Sequence, residues 1–423
     1  MKVNHLYKRY STPLNFLNST LILHGVNLVL TFIVYRYVSP ELMGIWATFT
    51  TFTTIATILR MGIPNGMNRE LPYNLGRGDV DLAKRYASTT LFYSHAISVI
   101  LLVIGVVFFI FFNFEKQPFP SQYRIAAICF FFQLIVEPYI TYLSGTFRTN
   151  SQFDRLSKVQ LYLSGIRLVS IILVIKWGFY GYIIREFFVS FSNLVMLHVW
   201  RPLPEITPRY SSTVLKALFL VGFPIFTTSY LSGFIDSIPR LYIIKEGSTM
   251  EMGLFSPVIM SLSIVFLIPN TIASYLYPKF SAQYGRDPEP SFFWQKMRAL
   301  FLLSVALGII GFLACFFLID TIIKLFPRYE ESASYIKEAS FAIIFIGYKI
   351  ASVICVVFKQ WKWLWISLIA YFVFQVGSIL LLHVFIDDIL SVASYSLSVT
   401  NFLMFIISVY YVYRITHKKF NYE

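Results

Sequence analysis

Apolar runs long enough to cross a lipid bilayer recur along the whole sequence. A helix rises about 1.5 Å per residue, so roughly 20 apolar residues cross the ~30 Å hydrocarbon layer. We therefore expect an all-α membrane protein with about twelve transmembrane helices. The expected spans are residues 13–35, 42–60, 88–113, 122–147, 158–175, 178–200, 214–238, 252–277, 299–325, 334–358, 364–386 and 390–413.

Composition agrees with a membrane protein. Hydrophobic residues make up 57% of the chain and charged residues 13%, whereas about a quarter of the residues are charged in soluble domains. The mean hydropathy is +0.66. The three cysteines all fall inside expected spans, so the sequence supports neither a disulfide framework nor a metal site.

The positive charges lie mainly on one side of this arrangement. With twelve spans and a cytoplasmic start, roughly two thirds of the 35 lysines and arginines fall in inner segments. We therefore expect a multi-pass protein of the cell (inner or plasma) membrane with both termini in the cytoplasm. The net charge of +14 does not indicate nucleic-acid binding, because it is spread over short loops on one side of the bilayer.

The sequence carries signs of an internal repeat. Met43-Gly44 and Met252-Gly253 have the same separation in the chain as Gly76-Arg77 and Gly285-Arg286. Transporters are often built from duplicated bundles. We expect two pseudo-symmetric six-helix bundles, residues 1–205 and residues 206–423.

A polar segment follows the second span of each half. Residues 61–79 read MGIPNGMNRELPYNLGRGD, and residues 268–287 read IPNTIASYLYPKFSAQYGRD. Pro and Gly commonly turn the chain at helix ends. We expect each segment to be a helix exit followed by a basic cytoplasmic loop, over residues 61–87 and 278–298.

Polar side chains repeat along one face of the first and the seventh expected span, at helical spacings of three or four residues. The first stripe comprises Thr20, His24, Asn27 and Thr31, and the second comprises Thr228, Ser232, Asp236 and Arg240. Lipid cannot satisfy such groups, so the stripes should face another helix or water. Small hydroxyl residues are compatible with helix packing alone, whereas His24, Asp236 and Arg240 favour a shared wet cavity that includes Asn27.

Further ionisable residues lie well inside the spans. They are Glu137, Arg167, Arg185, Glu186 and Lys349. Glu137, Arg167 and Lys349 each lie about ten residues from a cytoplasmic loop, roughly 15 Å deep. Long basic side chains can reach the interface from shallower positions such as those of Arg185 and Arg240. Structural alternatives are an ion pair of a deep basic residue with Glu137 and an i, i+4 pair of Asp236 with Arg240.

Three stretches and the twelve-span layout carry a family resemblance. The stretches are SPELMGIWATFTTF, GIPNGMNRELPYNLGRGD and IDSIPRLYIIKEGSTMEMGLFSPVIM. The chain resembles the Wzx-type polysaccharide and oligosaccharide-lipid flippases of the multidrug/oligosaccharidyl-lipid/polysaccharide (MOP) exporter superfamily, with the MATE-like fold. Members often carry an acidic and a basic residue side by side in the seventh helix, whereas here Asp236 and Arg240 are four residues apart.

The resemblance implies a flippase for surface polysaccharide biosynthesis. Such a protein moves an undecaprenyl-pyrophosphate-linked sugar repeat unit from the inner to the outer leaflet by alternating access. The pyrophosphate carries about two negative charges, and cations along the path would offset its desolvation. Arg167, Arg185, Arg240 and Lys349 could supply them. The implied partners are the lipid-linked oligosaccharide, membrane lipids and other polysaccharide-assembly membrane proteins. No cofactor is implied, and sodium, protons or the membrane potential are open as driving forces.

Two other classes of protein are alternatives. A cation-coupled multidrug exporter would require an acidic cavity, whereas the deep ionisable residues here are mixed in sign. A membrane glycosyltransferase or polymerase would usually require a large outer loop with catalytic groups, but the outer segments are short. The sequence also lacks an acid pair, a nucleophile with its base, a Walker loop and metal-ligand spacing. We therefore expect a transporter and no enzyme.

Overall fold

The structure, a computed structural model, describes residues 22–23, 25–150, 152–263, 265, 280, 283, 290–358 and 360–417. These residues form helices and connecting turns, with no strand among them. The α-helices are α1 (Gly25–Tyr37), α2 (Pro40–Ala56), α3 (Ile63–Gly76), α4 (Val80–Phe111), α5 (Pro120–Thr149), α6 (Phe153–Val199), α7 (Ser212–Glu246), α8 (Thr249–Leu254), α9 (Pro290–Ile322), α10 (Ser332–Ile344), α11 (Ser352–Val357), α12 (Trp361–Phe385) and α13 (Ile389–His417). Short 3₁₀ helices include Thr57–Arg60 after α2 and Ile346–Ala351 between α10 and α11.

Within these described ranges, eight helices are long and apolar enough to cross a membrane. The bent pair Ser332–Ile344 and Ile346–Val357, with 41° between its parts, adds a ninth if it is one span. Helix α6 alone covers the fifth and sixth expected spans. The first and eighth expected spans extend into residues that the structure does not describe. Helix α1 belongs to the first span, and residues 249–263 contain the described part of the eighth.

Helix α6 is a folded-back pair of helices. Its 47 residues would extend about 70 Å if straight, more than twice the hydrocarbon thickness. At Gly178 the backbone leaves the helical region, with φ 55° and ψ −126°. A Cβ at Gly181 would fall on the backbone carbonyl of Leu173, so the two arms lie in contact at the turn. Glycine is needed at both positions, once for a positive φ and once for the close approach.

The chain forms two compact units. The first contains the residues up to Val38 and Phe49–Tyr230, and the second contains Ser39–Thr48 and the residues from Leu231 onward. Helix α2 therefore begins in the second unit and continues in the first, while α7 begins in the first and ends in the second. The boundary between residues 205 and 206, which follows the sequence repeat, stays a prediction.

In the first unit, the expectation of a loop over residues 61–87 is wrong. The chain turns at Met61 and Gly62, which have φ values of 47° and 76°, and then forms α3. Ile63, Met67 and Leu71 are buried on one face of α3, since a spacing of four residues aligns them. Asp79 caps the next helix, α4, by accepting a hydrogen bond from the Leu82 amide at 3.0 Å.

The polar composition of residues 61–79 conceals this short amphipathic helix. Its glycines permit close packing against the first part of α7. A Cβ at Gly66 would fall on the Leu218 carbonyl, and a Cβ at Gly222 would fall on the Gly62 carbonyl. Most of the corresponding segment of the second half lies outside the described residues.

In the second unit, the start of α2 crosses α8 at two glycines. A Cβ at Gly44 would fall on the carbonyl of Thr249, and a Cβ at Gly253 would fall on the carbonyl of Pro40. Pro40 and Thr249 have the same sequence separation as Gly44 and Gly253, so the contact is reciprocal between repeat-related residues. The Met-Gly pairs that indicated the repeat therefore meet each other.

Candidate functional site

Lys349 lies on an interruption in the tenth expected span. Between α10 and α11 the backbone tightens into the 3₁₀ helix Ile346–Ala351, and Lys349 is in this segment. Its side chain is 18% exposed, whereas Ile350 and Ala351 beside it are fully buried. A stretch of 3₁₀ helix within a longer helix often marks a functional hinge. The cation thus sits on the least regular part of its span.

Asp236 of α7 holds this cation. The Lys349 ammonium lies 3.2 Å from Oδ2 and 3.3 Å from Oδ1 of Asp236. The hydroxyl of Tyr371, on α12, donates to Asp236 Oδ1 at 2.5 Å. Tyr348 packs edge-on against Tyr371, and the Lys349 Nζ lies 5.9 Å from the Tyr348 ring centroid, within cation–π range. Three elements of the second unit therefore converge on one carboxylate.

Two arginines share one carboxylate in the first unit. Arg185 donates from Nη1 to Glu186 Oε1 at 2.7 Å, while Arg167 Nη1 lies 3.9 Å from the same oxygen. Gln133 of α5 donates to the backbone carbonyl of Glu186 at 3.3 Å. The Arg185 side chain is 4% exposed and that of Arg167 is 24% exposed. Arg167 is on one arm of α6 and Glu186 on the other, so the turn at Gly178 brings them together.

This cluster, Arg167, Arg185 and Glu186, holds more positive than negative charge. In the described part of the chain, the Nε atoms of both arginines are buried without a hydrogen-bond partner. Burying a charge is costly unless it is paired. The cluster therefore contains donors that its one carboxylate does not satisfy. The position of Arg185 closer to the outer face stays a prediction, and its side chain is buried against Glu186.

Glu137 pairs with neither deep basic residue. Its Oε1 accepts from Arg60 Nη2 at 3.0 Å and from the Thr141 hydroxyl at 3.1 Å. The proposed partnership of Glu137 with Arg167 or Lys349 is therefore wrong. Arg60 ends the 3₁₀ helix after α2, and the chain reversal there directs it toward α5 rather than into a loop.

The polar stripes have mixed surroundings. Thr31 donates to the backbone carbonyl of Asn27 at 2.7 Å, so its hydroxyl is satisfied within α1. The Asn27 Oδ1 atom is buried with no hydrogen-bond partner among the described residues. Asp236 is engaged by Lys349 and Tyr371, and Arg240 is half-buried one turn further along α7. Thr20 and His24 lie outside the described residues.

Sequence reasoning missed Tyr371 and Gln133, which complete the two clusters. A signal for Tyr371 was present, because Tyr371, Gln375 and Ser378 recur at four and three residues on one face of the eleventh expected span. Gln375 is fully buried and donates to the Ser396 hydroxyl at 3.0 Å. This stripe therefore joins α12 to α13 as well as reaching Asp236.

A known protein family matches the chain. Residues 33–289, more than half of the chain, match the family described as polysaccharide biosynthesis protein. The chain belongs to this family. No curated protein matches the chain. The predicted relationship to a family of polysaccharide biosynthesis proteins is confirmed.

Solved structures give the fold. The inward-facing conformation of a multidrug resistance MATE family transporter of the MOP superfamily is 15% identical, with a TM-score of 0.76 over 92% of this chain and 94% of that one. Its outward-facing counterpart is 14% identical, with a TM-score of 0.67 over 96% of each chain.

A third structure is a MOP superfamily transporter from Pyrococcus furiosus whose binding pocket is described as having reverse polarity. It is 13% identical, with a TM-score of 0.65 over 96% of this chain and 95% of that one. These likenesses confirm the all-α, MATE-like fold of a multi-pass membrane protein. The chain is thus a member of a polysaccharide biosynthesis family with the fold of MATE transporters.

Proposed function

We propose that the protein is a flippase that moves an undecaprenyl-pyrophosphate-linked oligosaccharide from the inner to the outer leaflet by alternating access. The family description, polysaccharide biosynthesis protein, and the transporter fold support this proposal. The protein would act in the cell membrane with cytoplasmic termini, and it would work beside other membrane proteins of polysaccharide assembly.

One observation carries the proposal: a lysine lies within a transmembrane segment, on a 3₁₀ interruption, against a single carboxylate. A charge at this depth costs several kcal/mol unless it is compensated, so such residues usually serve function. The Asp236 carboxylate occupies the position that a phosphate oxygen could take against Lys349. We infer that the anionic headgroup replaces Asp236 as the partner of Lys349 while Tyr371 keeps its hydrogen bond to Asp236.

The first unit supplies the second cation of the proposal. Arg185 is the close partner of Glu186, and Arg167 lies 1.2 Å further from it, at 3.9 Å against 2.7 Å. Arg167 is also the more exposed of the two arginines. We propose that Arg167 assists the headgroup, whereas Arg185 holds the Glu186 side chain in place through their hydrogen bond. Arg240, Glu137 and Asn27 stay proposed residues of the substrate cavity.

Multidrug export is the second candidate, because two of the similar structures are named multidrug resistance transporters. A cationic drug favours an acidic surrounding, but the cluster of Arg167, Arg185 and Glu186 has two cations for one anion. An anionic substrate fits this charge balance better. Identity at or below 15% to these structures carries the fold and not their substrates.

Reconstituted vesicles test the two candidates directly. Purified protein would be placed in liposomes with either a defined lipid-linked oligosaccharide or a cationic dye. We expect the oligosaccharide to become accessible in the opposite leaflet to a membrane-impermeant glycosidase, and the dye to distribute as in protein-free liposomes. Dye transport without oligosaccharide movement would favour the exporter.

A further inference from the structure

An apolar groove runs between the two arms of α6. It has a volume of about 620 Å³ and is lined mainly by aliphatic side chains and Phe188. Small residues, namely Gly165, Ser170 and Ser192, widen it. Val169 on its wall is 76% exposed, so the groove opens at the surface of the first unit. Ligand sites typically occupy about 300–1,000 Å³ and are mostly apolar.

One end of the groove is aromatic and basic. The ring of Tyr162, which lines the groove, packs against the ring of Trp200 with centroids 5.7 Å apart. Tyr162, early in α6, and Trp200, directly after the end of α6, therefore lie side by side at this end. Trp and Tyr are enriched where a membrane meets water. Lys158, one turn before Tyr162, is exposed, as is Arg155, and Arg201 directly follows Trp200.

The charge balance at this end is positive, because Arg155, Lys158 and Arg201 outnumber Asp154. An apolar channel that ends at an aromatic pair and a basic cluster is complementary to a lipid with a phosphate headgroup. Basic residues at a membrane surface contribute about 1 kcal/mol each toward anionic lipids. The buried apolar chain contributes about 0.8 kcal/mol for each methylene group.

We infer that this groove binds the polyprenyl chain of the lipid-linked substrate, with its phosphates at the basic end. The inference rests on the proposed function and names a docking site for the lipid part of that substrate. A methyl-branched isoprenoid chain is wider than a straight acyl chain, and the glycine and serine positions leave the width that it needs. Ordinary phospholipids can cover the remaining smooth surface of the helices without such a recess.

Filling the groove tests the inference. A Cβ at Gly165 would meet no atom within 4 Å, so Gly165→Leu adds volume in the groove without a clash in the fold. Gly377 on α12 is equally open, and Gly377→Leu is the matched control. Protein in phosphatidylcholine nanodiscs would be crosslinked to a photoreactive polyprenyl phosphate. We expect wild type and Gly377→Leu to crosslink alike and Gly165→Leu to bind about tenfold more weakly.

The basic end is tested separately. Lys158→Gln should weaken polyprenyl phosphate binding about fivefold, which corresponds to the loss of about 1 kcal/mol of attraction to the phosphate. Lys176→Gln, an exposed lysine near the turn at Gly178, is the control and should have no effect. An uncharged polyprenol should bind wild type more weakly than the phosphate and should not distinguish Lys158→Gln from wild type.

Either of two binding results would overturn the inference, and so would the transport result given below. One is equal crosslinking of wild type and Gly165→Leu. The other is displacement of the probe by equimolar phosphatidylglycerol, which would assign the groove to annular lipid. The proposed function fails differently, through absence of oligosaccharide transport in liposomes. Groove binding without transport would contradict the flippase proposal only. Transport that Gly165→Leu leaves unchanged would contradict the groove inference only.

Discussion

At the scale of single residues, each of the two candidate clusters has one carboxylate, but the clusters differ in net charge. Lys349 and Asp236 neutralise each other, and Tyr371 adds a hydrogen bond to the same carboxylate. In the first unit, Glu186 faces two guanidinium groups. Removing one partner of a buried pair usually costs more than removing both. Single and double variants of these pairs therefore distinguish an effect on stability from an effect on transport.

Lys349→Gln should lower stability because it leaves Asp236 without its cation. Asp236 is 38% exposed, so we expect the lower end of the about 3–5 kcal/mol cost of an unpaired buried charge. The double variant Lys349→Gln with Asp236→Asn should recover most of that loss. Thermal unfolding of detergent-purified protein measures both. A double variant that is no more stable than Lys349→Gln would contradict the pairing of Lys349 with Asp236.

Arg167 and Arg185 should behave differently when each is changed to Gln. Arg185→Gln removes the 2.7 Å partner of Glu186 and should reduce folded yield, whereas Arg167→Gln leaves that bond intact. We expect Arg167→Gln to fold at near wild-type level and to lose transport. Arg167→Lys should keep more activity than Gln, although an ammonium cannot reproduce a forked guanidinium contact to phosphate. Folded yield and vesicle transport would be measured for both Gln variants. Loss of folded protein in Arg167→Gln with normal yield of Arg185→Gln would contradict these roles.

The sequence predicts a depth for these residues, but it does not predict their partners. Counting residues from a loop gives the level of Lys349 in a span, since each residue advances the helix by a fixed rise. It does not tell which helix lies beside that level. The sequence therefore suggested Glu137 as the partner, whereas packing supplies Asp236 to Lys349 and Glu186 to Arg167.

At the scale of helices, glycines decide where the chain bends and where helices approach closely. Gly178 divides α6, which sequence analysis already treated as two spans. Helix α3 was not predicted, because its polar composition masks a buried face of Ile63, Met67 and Leu71. The 3₁₀ helix that carries Lys349 was also not predicted, since apolar sequence alone does not distinguish it from a regular helix.

The crossing of α2 and α8 should not tolerate a side chain at Gly44. Gly44→Leu forces atoms onto the Thr249 carbonyl, and overpacking of this kind costs about 1–3 kcal/mol. Gly233→Leu on α7 is the control, because a Cβ there meets no atom within 4 Å. We expect a lower unfolding temperature for Gly44→Leu only. Equal unfolding temperatures for the two variants would contradict the close crossing.

At the scale of the whole molecule, the sequence predicted the fold class because span length and hydropathy dominate in a membrane. The orientation in the membrane stays a prediction from charge. In a protein whose Cys129, Cys315 and Cys355 are replaced, single cysteines at positions 77 and 286 should react only with reagents that enter the cytoplasm. Labelling of intact cells by an impermeant maleimide at either position would reverse the assignment.

We propose that the headgroup crosses the membrane against Lys349, and the flipping rates of matched variants measure the contribution of this cation. Wild type, Lys349→Arg, Lys349→Gln and the Lys349→Gln, Asp236→Asn double variant would be reconstituted at equal amounts of folded protein with one lipid-linked oligosaccharide. We expect fast flipping by wild type, partial flipping by Lys349→Arg, and a loss of at least about tenfold in both variants that lack the cation, even where the double variant is stable. Flipping by the double variant at the wild-type rate would contradict it.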